Sequence, residues 1–223
     1  MMAFRPSYIS FDCYGTLIDF QIGVMTRRLL ADQVPADQMQ AFLTDFSAYR
    51  FDEAMGEWQP YAELIQRALR RCCKRWGLPH YDSVAQQIYT AIPSWGPHPD
   101  VPAGLAALAK EFPLVILSNA SDNQIQHNVD KLGAPFHAVY TAQQAQAYKP
   151  RLRAFEYMID QLDCDPTQIL HVSSSLRYDL MSAYDIGIRH TVYIERGHGP
   201  STTYYDYRTI RDLSELPRLL GLE

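Results

Sequence analysis

Tyr8-Ile9-Ser10-Phe11-Asp12-Cys13-Tyr14-Gly15-Thr16-Leu17 is the run that decides the fold. Tyr8, Ile9 and Phe11 favour a strand, and Gly15 can take backbone torsions that other residues avoid. The run reads as a short buried strand that ends in an acid and turns sharply. Open α/β sheets gather their ligand crevice at the carboxyl ends of the strands. A carboxylate at that junction points into a site, and the N–H groups of the following turn can hold an anion. Taken alone, an Asp after an apolar run is a turn residue or a helix cap. The whole run, with its Thr, is more specific than its acid.

The 223 residues suit one large domain, or a core with an inserted subdomain, with enough chain for a sizeable apolar centre. A net charge of −5 leaves no electrostatic footprint for nucleic acid. No apolar run approaches a membrane span and no leader pattern opens the chain, so a cytoplasmic protein is expected. Cys13, Cys72, Cys73 and Cys164 lack metal-ligand spacing and read as reduced structural thiols. Cys13 beside Asp12 leaves a redox reading open.

Beyond the opening strand, residues 19–98 read as wholly helical. Met39, Phe42, Leu43 and Phe46 share one helix face, and Tyr61, Leu64, Ile65, Ala68, Leu69 and Cys72 repeat the pattern before Gly77. A third helix is expected over Ser83–Ile92. Asp100 is placed to cap the next helix, with Pro102 in its first turn. Strands then resume at Leu114–Ser118, Ala138–Tyr140, Ile169–Ser173 and Thr191–Ile194. Helices are expected near Ala103–Lys110, Asn123–Leu132, Phe155–Leu162 and Tyr178–Asp185. Gly197–Arg208 reads as irregular surface. The alternation predicts a doubly wound, Rossmann-like parallel α/β sheet. Its core is residues 1–18 and 99–223, and the helical insert 19–98 is a lid over the first strand's end.

The opening run resembles the first motif of the haloacid dehalogenase superfamily, whose members use this Asp as a nucleophile and carry a cap subdomain at this point in the chain. Its phosphatases place a second Asp two residues on as general acid/base. Tyr14 stands there instead, and a phenol with a pKa of about 10 cannot do that work near neutrality. Tyr at this place is similar to the type II (S)-2-haloacid dehalogenases, which attack carbon.

Later motifs extend the resemblance from Tyr8 to about Leu216. Ser118-Asn119 matches the second motif, whose hydroxyl and following amide hold an anionic oxygen or departing group; an ordinary strand-to-helix turn is the alternative. Tyr148-Lys149-Pro150 looks like the third, whose Lys reaches the nucleophile and keeps it ionised. His171-Val172-Ser173-Ser174-Ser175-Leu176-Arg177-Tyr178-Asp179 sits at the fourth. Phosphatases carry two carboxylates there for magnesium. Here Ser174 occupies the first and Asp179 remains, which implies no metal and no cofactor. Asp179 is expected to orient Lys149 or the hydrolytic water. The dehalogenases have Asn where Ser175 stands, and this chain is one residue longer before Asp179. They also carry a cap Arg that contacts halide. Ser47 falls near its place and Arg50 lies three residues on, with Arg27 and Arg28 as further candidates. A surface ion pair of Arg50 with Asp52 or Glu53 is the plain alternative.

The resemblance therefore implies a hydrolase acting on a small carboxylate. Asp12, Lys149, Asp179, Thr16 and Ser174 would be catalytic, and Cys13, Tyr14, Ser118, Asn119 and Arg50 would bind substrate. A 2-haloacid is the first candidate, attacked at its 2-carbon through an aspartyl ester. A strained cyclic acid such as azetidine-2-carboxylate, a phosphate ester, or a non-catalytic binding role are the alternatives. No nucleic acid or membrane partner is expected, and relatives of this type imply a homodimer.

Overall fold

A computed structural model describes residues 4–199, 202 and 204–222. The chain divides into two compact units, Met1–Asp19 with Gly96–Glu223, and Phe20–Trp95. Strand β1 (Tyr8–Phe11) is buried along most of its length. It runs into the turn around Gly15, whose φ of 97° suits glycine and disfavours L side chains. The outgoing and returning strands are stitched together inside the first unit. Asp19 N–H donates to the Gly96 carbonyl (2.9 Å) and His98 N–H to that of Leu17 (3.0 Å).

The second unit is helical throughout: α1 (Ile22–Leu29), α2 (Met39–Met55), α3 (Tyr61–Arg75) and α4 (Asp82–Ala91), then a short 3₁₀ turn at Ile92–Ser94. The apolar periodicity has its intended effect. Met39, Phe42 and Phe46 are buried on α2, and Tyr61, Leu64, Ile65, Ala68, Leu69, Cys72 and Cys73 on α3. Burying each large apolar side chain stabilises the unit by roughly 1.5–3 kcal/mol. Trp76 meets Phe42 edge-on with centroids 5.5 Å apart. Asp45 accepts from both Trp76 Nε1 (2.9 Å) and Arg75 Nε (3.0 Å), tying the end of α3 to α2. Gly77 then stops the helix at φ 66°.

Back in the first unit come α5 (Val101–Leu108), β2 (Leu114–Ser118), α6 (Asp122–Val129), β3 (Ala138–Thr141), α7 (Ala142–Ala145), α8 (Leu152–Leu162) and β4 (Ile169–Ser173). A wide turn at Leu176–Leu180 leads into α9 (Met181–Asp185), β5 (His190–Ile194), β6 (Arg208–Ile210) and α10 (Glu215–Leu219). The strands form one parallel sheet in the order β3-β2-β1-β4-β5-β6. β1 is central, and the direction of winding reverses beside it, where doubly wound sheets place their ligands. Phe155, Met158 and Leu162 of α8 pack with Val115, Leu117 and Ile169 of the sheet. Among the described residues no helix is long and apolar enough to cross a membrane.

Several expectations need correction. Asp100 stands at the N-cap of α5, yet its side chain does not cap the helix. Its carboxylate takes both Arg196 Nη atoms (2.9 and 2.8 Å) and the Leu213 N–H (2.7 Å) instead, because a bidentate guanidinium outcompetes a single amide. The helix expected to reach Leu132 ends at Val129, and the chain turns through to Gly133 at φ 74°. Helix α7 is an addition to the expected elements, although Thr141 and Gln144 form a capping box. The stretch from Gly197 to Tyr207 is irregular where described, but Arg208 opens edge strand β6. Pro200, Ser201 and Thr203 of that stretch lie outside the described residues.

Candidate active site

Asp12 leaves the end of β1 and finds a partner for each oxygen. Oδ1 takes Lys149 Nζ at 2.8 Å, and Oδ2 takes the Thr16 hydroxyl at 2.6 Å. Lys149 is 1% exposed. Its ammonium spends all three donors, on Asp12 Oδ1, Asp179 Oδ1 (2.6 Å) and the Leu117 carbonyl (2.7 Å). One buried cation thus bridges two buried anions. Such a cluster holds together only when every charge is paired.

Burial pushes the Asp12 carboxyl above its ordinary 3.8, while Lys149 and Thr16 pull against that push. Burial also works against charge on Lys149, but the two carboxylates outweigh it and raise its pKa above 10.5. Asp179 is held below the usual carboxylate value, since Lys149 and His171 outweigh the opposing effect of burial. Lys149 and Asp179 are therefore charged across the neutral range.

Thr16 and Ser174 close the other side. The Thr16 hydroxyl donates to Asp12 and accepts the Ser174 N–H at 2.9 Å, and the Ser174 hydroxyl donates to the Gly15 carbonyl at 3.0 Å. Adjacent serines part company here. Ser175 Oγ accepts the Tyr178 N–H at 3.0 Å and caps the wide turn. Leu180 N–H donates to the Ser175 carbonyl (3.2 Å), five residues back. This π-type turn absorbs the additional residue before Asp179, which is 1% exposed and in reach of Lys149.

Asn119 grips the main chain of Lys149 on both sides, accepting its N–H at 2.7 Å and donating to its carbonyl at 2.9 Å. Its side-chain amide thus holds the lysine backbone in place. The Lys149–Pro150 peptide is cis. Ser118 is buried, and its hydroxyl has no partner among the described residues. The Tyr14 hydroxyl donates to Asn128 Oδ1 at 3.0 Å. Burial, with the Asp12 charge adding to it, pushes the Cys13 thiol well above its ordinary value, so it stays protonated and unsuited to thiolate redox chemistry. The N–H groups of Gly15, Thr16, Leu17 and Ile18 all donate to the Ile18 or Cys13 carbonyls inside the turn. The expected anion cradle therefore loses those four donors.

Arg50 belongs to the helical unit. Its guanidinium lies over Phe46 (5.4 Å to the centroid), with Nη2 3.5 Å from Ser47 Oγ. The alternative, an ion pair with Asp52 or Glu53, goes to Arg71 instead, which takes both at 2.7 Å. Arg27 binds Gln40 Oε1 at 3.0 Å, and Arg28 Nη2 lies 3.2 Å from Met25 Sδ.

Two residues near Asp12 went unread in the sequence. His171 and Ser10 are fully buried, and the ring bridges Ser10 Oγ (2.8 Å) and Asp179 Oδ1 (3.1 Å). A signal was present: one polar residue inside each of two apolar parallel strands needs a partner.

The surroundings of Asp12 do not fit a magnesium ion. Such sites are built from carboxylates and waters. Here the Lys149 ammonium already takes one oxygen of each acid, and Tyr14 and Ser174 stand in the sequence where the resemblance places the phosphatases' further carboxylates.

A model of the haloacid dehalogenase-like hydrolases matches residues 7–187. The chain is 27% identical over 219 residues to (S)-2-haloacid dehalogenase 1 of Pseudomonas sp. (strain CBS-3), covering 94% of each. It is also 27% identical over 222 residues to (S)-2-haloacid dehalogenase 4A of Burkholderia cepacia, covering 95% of this chain and 93% of that one. Among solved structures, a dehalogenase with an intermediate complex superposes with a TM-score of 0.80 at 24% identity, covering 98% of both chains. The L-2-haloacid dehalogenase of Xanthobacter autotrophicus with chloropropionic acid covalently bound gives 0.78 at 21% identity, covering 97% of this chain and 99% of that one. These two likenesses speak to the fold.

Proposed function

The chain belongs to the haloacid dehalogenase-like hydrolase family, and from that premise we propose that it hydrolyses small 2-haloacids without a metal ion, with Asp12 as nucleophile. The observation that carries the reading is Lys149 Nζ lying 2.8 Å from Asp12 and 2.6 Å from Asp179. A fixed ammonium keeps an attacking carboxylate ionised, which a nucleophile requires. The curated relatives named (S)-2-haloacid dehalogenase support the substrate class.

An Asp12 oxygen attacks the 2-carbon, the carbon–halogen bond breaks with its electron pair, and halide leaves. An ester remains. Water then adds to the Asp12 acyl carbon and the acyl carbon–oxygen bond to the product breaks. One water proton completes the product hydroxyl and the other is released as Asp12 returns to carboxylate. Two easier steps replace one difficult one. Thr16, with the N–H group of Cys13, stabilises charge on the reacting groups and on the substrate carboxylate. Arg50, whose ion-pair alternatives Asp52 and Glu53 are taken by Arg71, is the candidate that the resemblance offers for the departing halide.

Halide release from (S)-2-chloropropionate with chelator present, and entry of ¹⁸O from labelled water into Asp12 over repeated turnovers, test the reading together. Chelator-sensitive turnover of a phosphate ester, or no label at Asp12, would overturn it. An inert outcome with haloacids but ring opening of azetidine-2-carboxylate would keep the nucleophile and change the leaving group.

A further inference from the structure

The sheet itself builds a second line of polar contacts behind the nucleophile. Ser10 and His171 are register partners on the adjacent parallel strands β1 and β4. Both are fully buried, and Phe155 packs edge-on against the imidazole at 5.5 Å. Ser10 Oγ lies 2.8 Å from Nδ1, and Nε2 lies 3.1 Å from Asp179 Oδ1. An ionised carboxylate only accepts, so Nε2 must carry the hydrogen. In the neutral ring Nδ1 is then the acceptor, and the Ser10 hydroxyl fills it at 2.8 Å in preference to the Leu170 carbonyl at 3.4 Å.

Hydroxyl, imidazole and carboxylate in that order resemble a nucleophilic triad. Ser10 is sealed inside the sheet, however, so no substrate can reach its oxygen. The arrangement acts in the opposite direction, on the acid. Asp179 Oδ1 receives both Lys149 Nζ and His171 Nε2, whereas Oδ2 has no partner among the described residues. A single anchor would let the carboxylate rotate about its side-chain bond; two donors converging on one oxygen hold it.

We propose that His171, locked as its Nε2–H tautomer by Ser10, is a positioning residue that pins Asp179 Oδ1 and leaves Oδ2 to receive the water that cleaves the aspartyl ester. The inference rests on the dehalogenase reading for its kinetic consequence, but not for its geometry. His171 never touches substrate; it acts through Asp179. Loss of an outer partner of this kind lowers activity by about 10–100-fold.

The test compares wild type, His171→Phe, His171→Gln and Ser10→Ala in single-turnover and steady-state assays with (S)-2-chloropropionate. His171→Phe should give a full burst of halide, slow ester hydrolysis by about 10–100-fold, accumulate the ester adduct in the intact mass, and leave KM no higher. His171→Gln, whose amide can donate to Oδ1, should regain most of the rate, and Ser10→Ala should show a smaller loss in the same step. Halide burst and hydrolysis slowed equally, or a Gln variant no better than Phe, would overturn the proposal. If His171→Phe fails to fold, the Gln and Ser10 variants carry the same comparison. ¹⁵N spectra of the wild-type imidazole report the tautomer independently of turnover. Hydrogen on Nε2 and none on Nδ1 is expected, and hydrogen on Nδ1, alone or together with Nε2, would refute the assignment. An enzyme inert towards every 2-haloacid would sink the dehalogenase reading, while the ring spectrum still decides the His171 geometry.

Discussion

Asn119 holds Lys149 by its backbone, not by its charge: the side-chain amide closes a two-point bond with the lysine N–H and carbonyl at 2.7 and 2.9 Å. The ammonium can reach both carboxylates only if that backbone stays in place. Asn119→Ala should therefore cut kcat by about 10–100-fold, as loss of an orienting partner does. In single-turnover assays the loss should fall on the halide-releasing step, which needs Asp12 ionised.

Lys149→Met removes the cation that stands between two buried acids. Breaking a buried pair in this way costs about 3–5 kcal/mol, since an uncompensated charge is left behind. The loss should be greatest near neutral pH and shrink on acidification, as the stranded carboxylates take up protons. Urea unfolding at pH 7 and pH 5 measures it, and a Lys149→Met/Asp179→Asn double variant should recover part of the stability.

The pH dependence of activity and of stability should separate. Ionised Asp12 in the free enzyme is required for attack, so kcat/KM should rise with pH through the Asp12 value. Burial sets that limb above 3.8. Asp179, held below 3.8, contributes stability that is present above 3.8 and lost as pH falls through its folded value. Lys149, raised above 10.5, contributes stability that is present below 10.5 and lost as pH rises through its folded value. Asp12 has the opposite sign to Asp179, because its raised value makes the ionised form a cost to the folded state. Asp12→Asn should accordingly abolish halide release at every pH, whereas Asp179→Asn should blunt the acid loss of stability in thermal melts.

Ser174 and Ser175 offer a test of neighbours with different duties. Ser175→Ala deletes the cap of the wide turn and should lower stability by about 0.5–2 kcal/mol. Ser174→Ala deletes the bond to the Gly15 carbonyl, worth about 1 kcal/mol, and should show its larger effect in kcat through the turn that follows Asp12. Denaturation curves beside steady-state rates distinguish the two.

Arg50→Ala should lower halide release by about 10²-fold if its guanidinium stabilises the departing ion. Arg27→Ala, which loses the contact with Gln40, should leave the rate unchanged. Equal rates for both variants would remove Arg50 from the site.

Where chemistry and local pattern coincide, the structure was legible in advance. Asp12 at a strand end, Lys149 before a proline and the heptad-like spacing on α2 and α3 could all be read because each is a one-dimensional signal. Contacts across the sheet could not. Ser10 meets His171 only because β1 lies beside β4, and nothing in either strand alone specifies that neighbour. Asp100 misled for a related reason. Its position fits a helix cap, but a guanidinium from Arg196, distant in sequence, claims the carboxylate. The additional residue before Asp179 also resisted reading, because a wider turn can absorb it without moving the acid out of reach.

The central place of β1 bears on how the molecule is made. Tyr8–Phe11 leaves the ribosome before either of its neighbours, which begin at Leu114 on one side and Ile169 on the other. The helical segment that follows can condense meanwhile through local contacts, while the earliest strand waits with both edges unpaired. Translation rate and chaperone supply should therefore govern the yield of soluble enzyme more than final stability does.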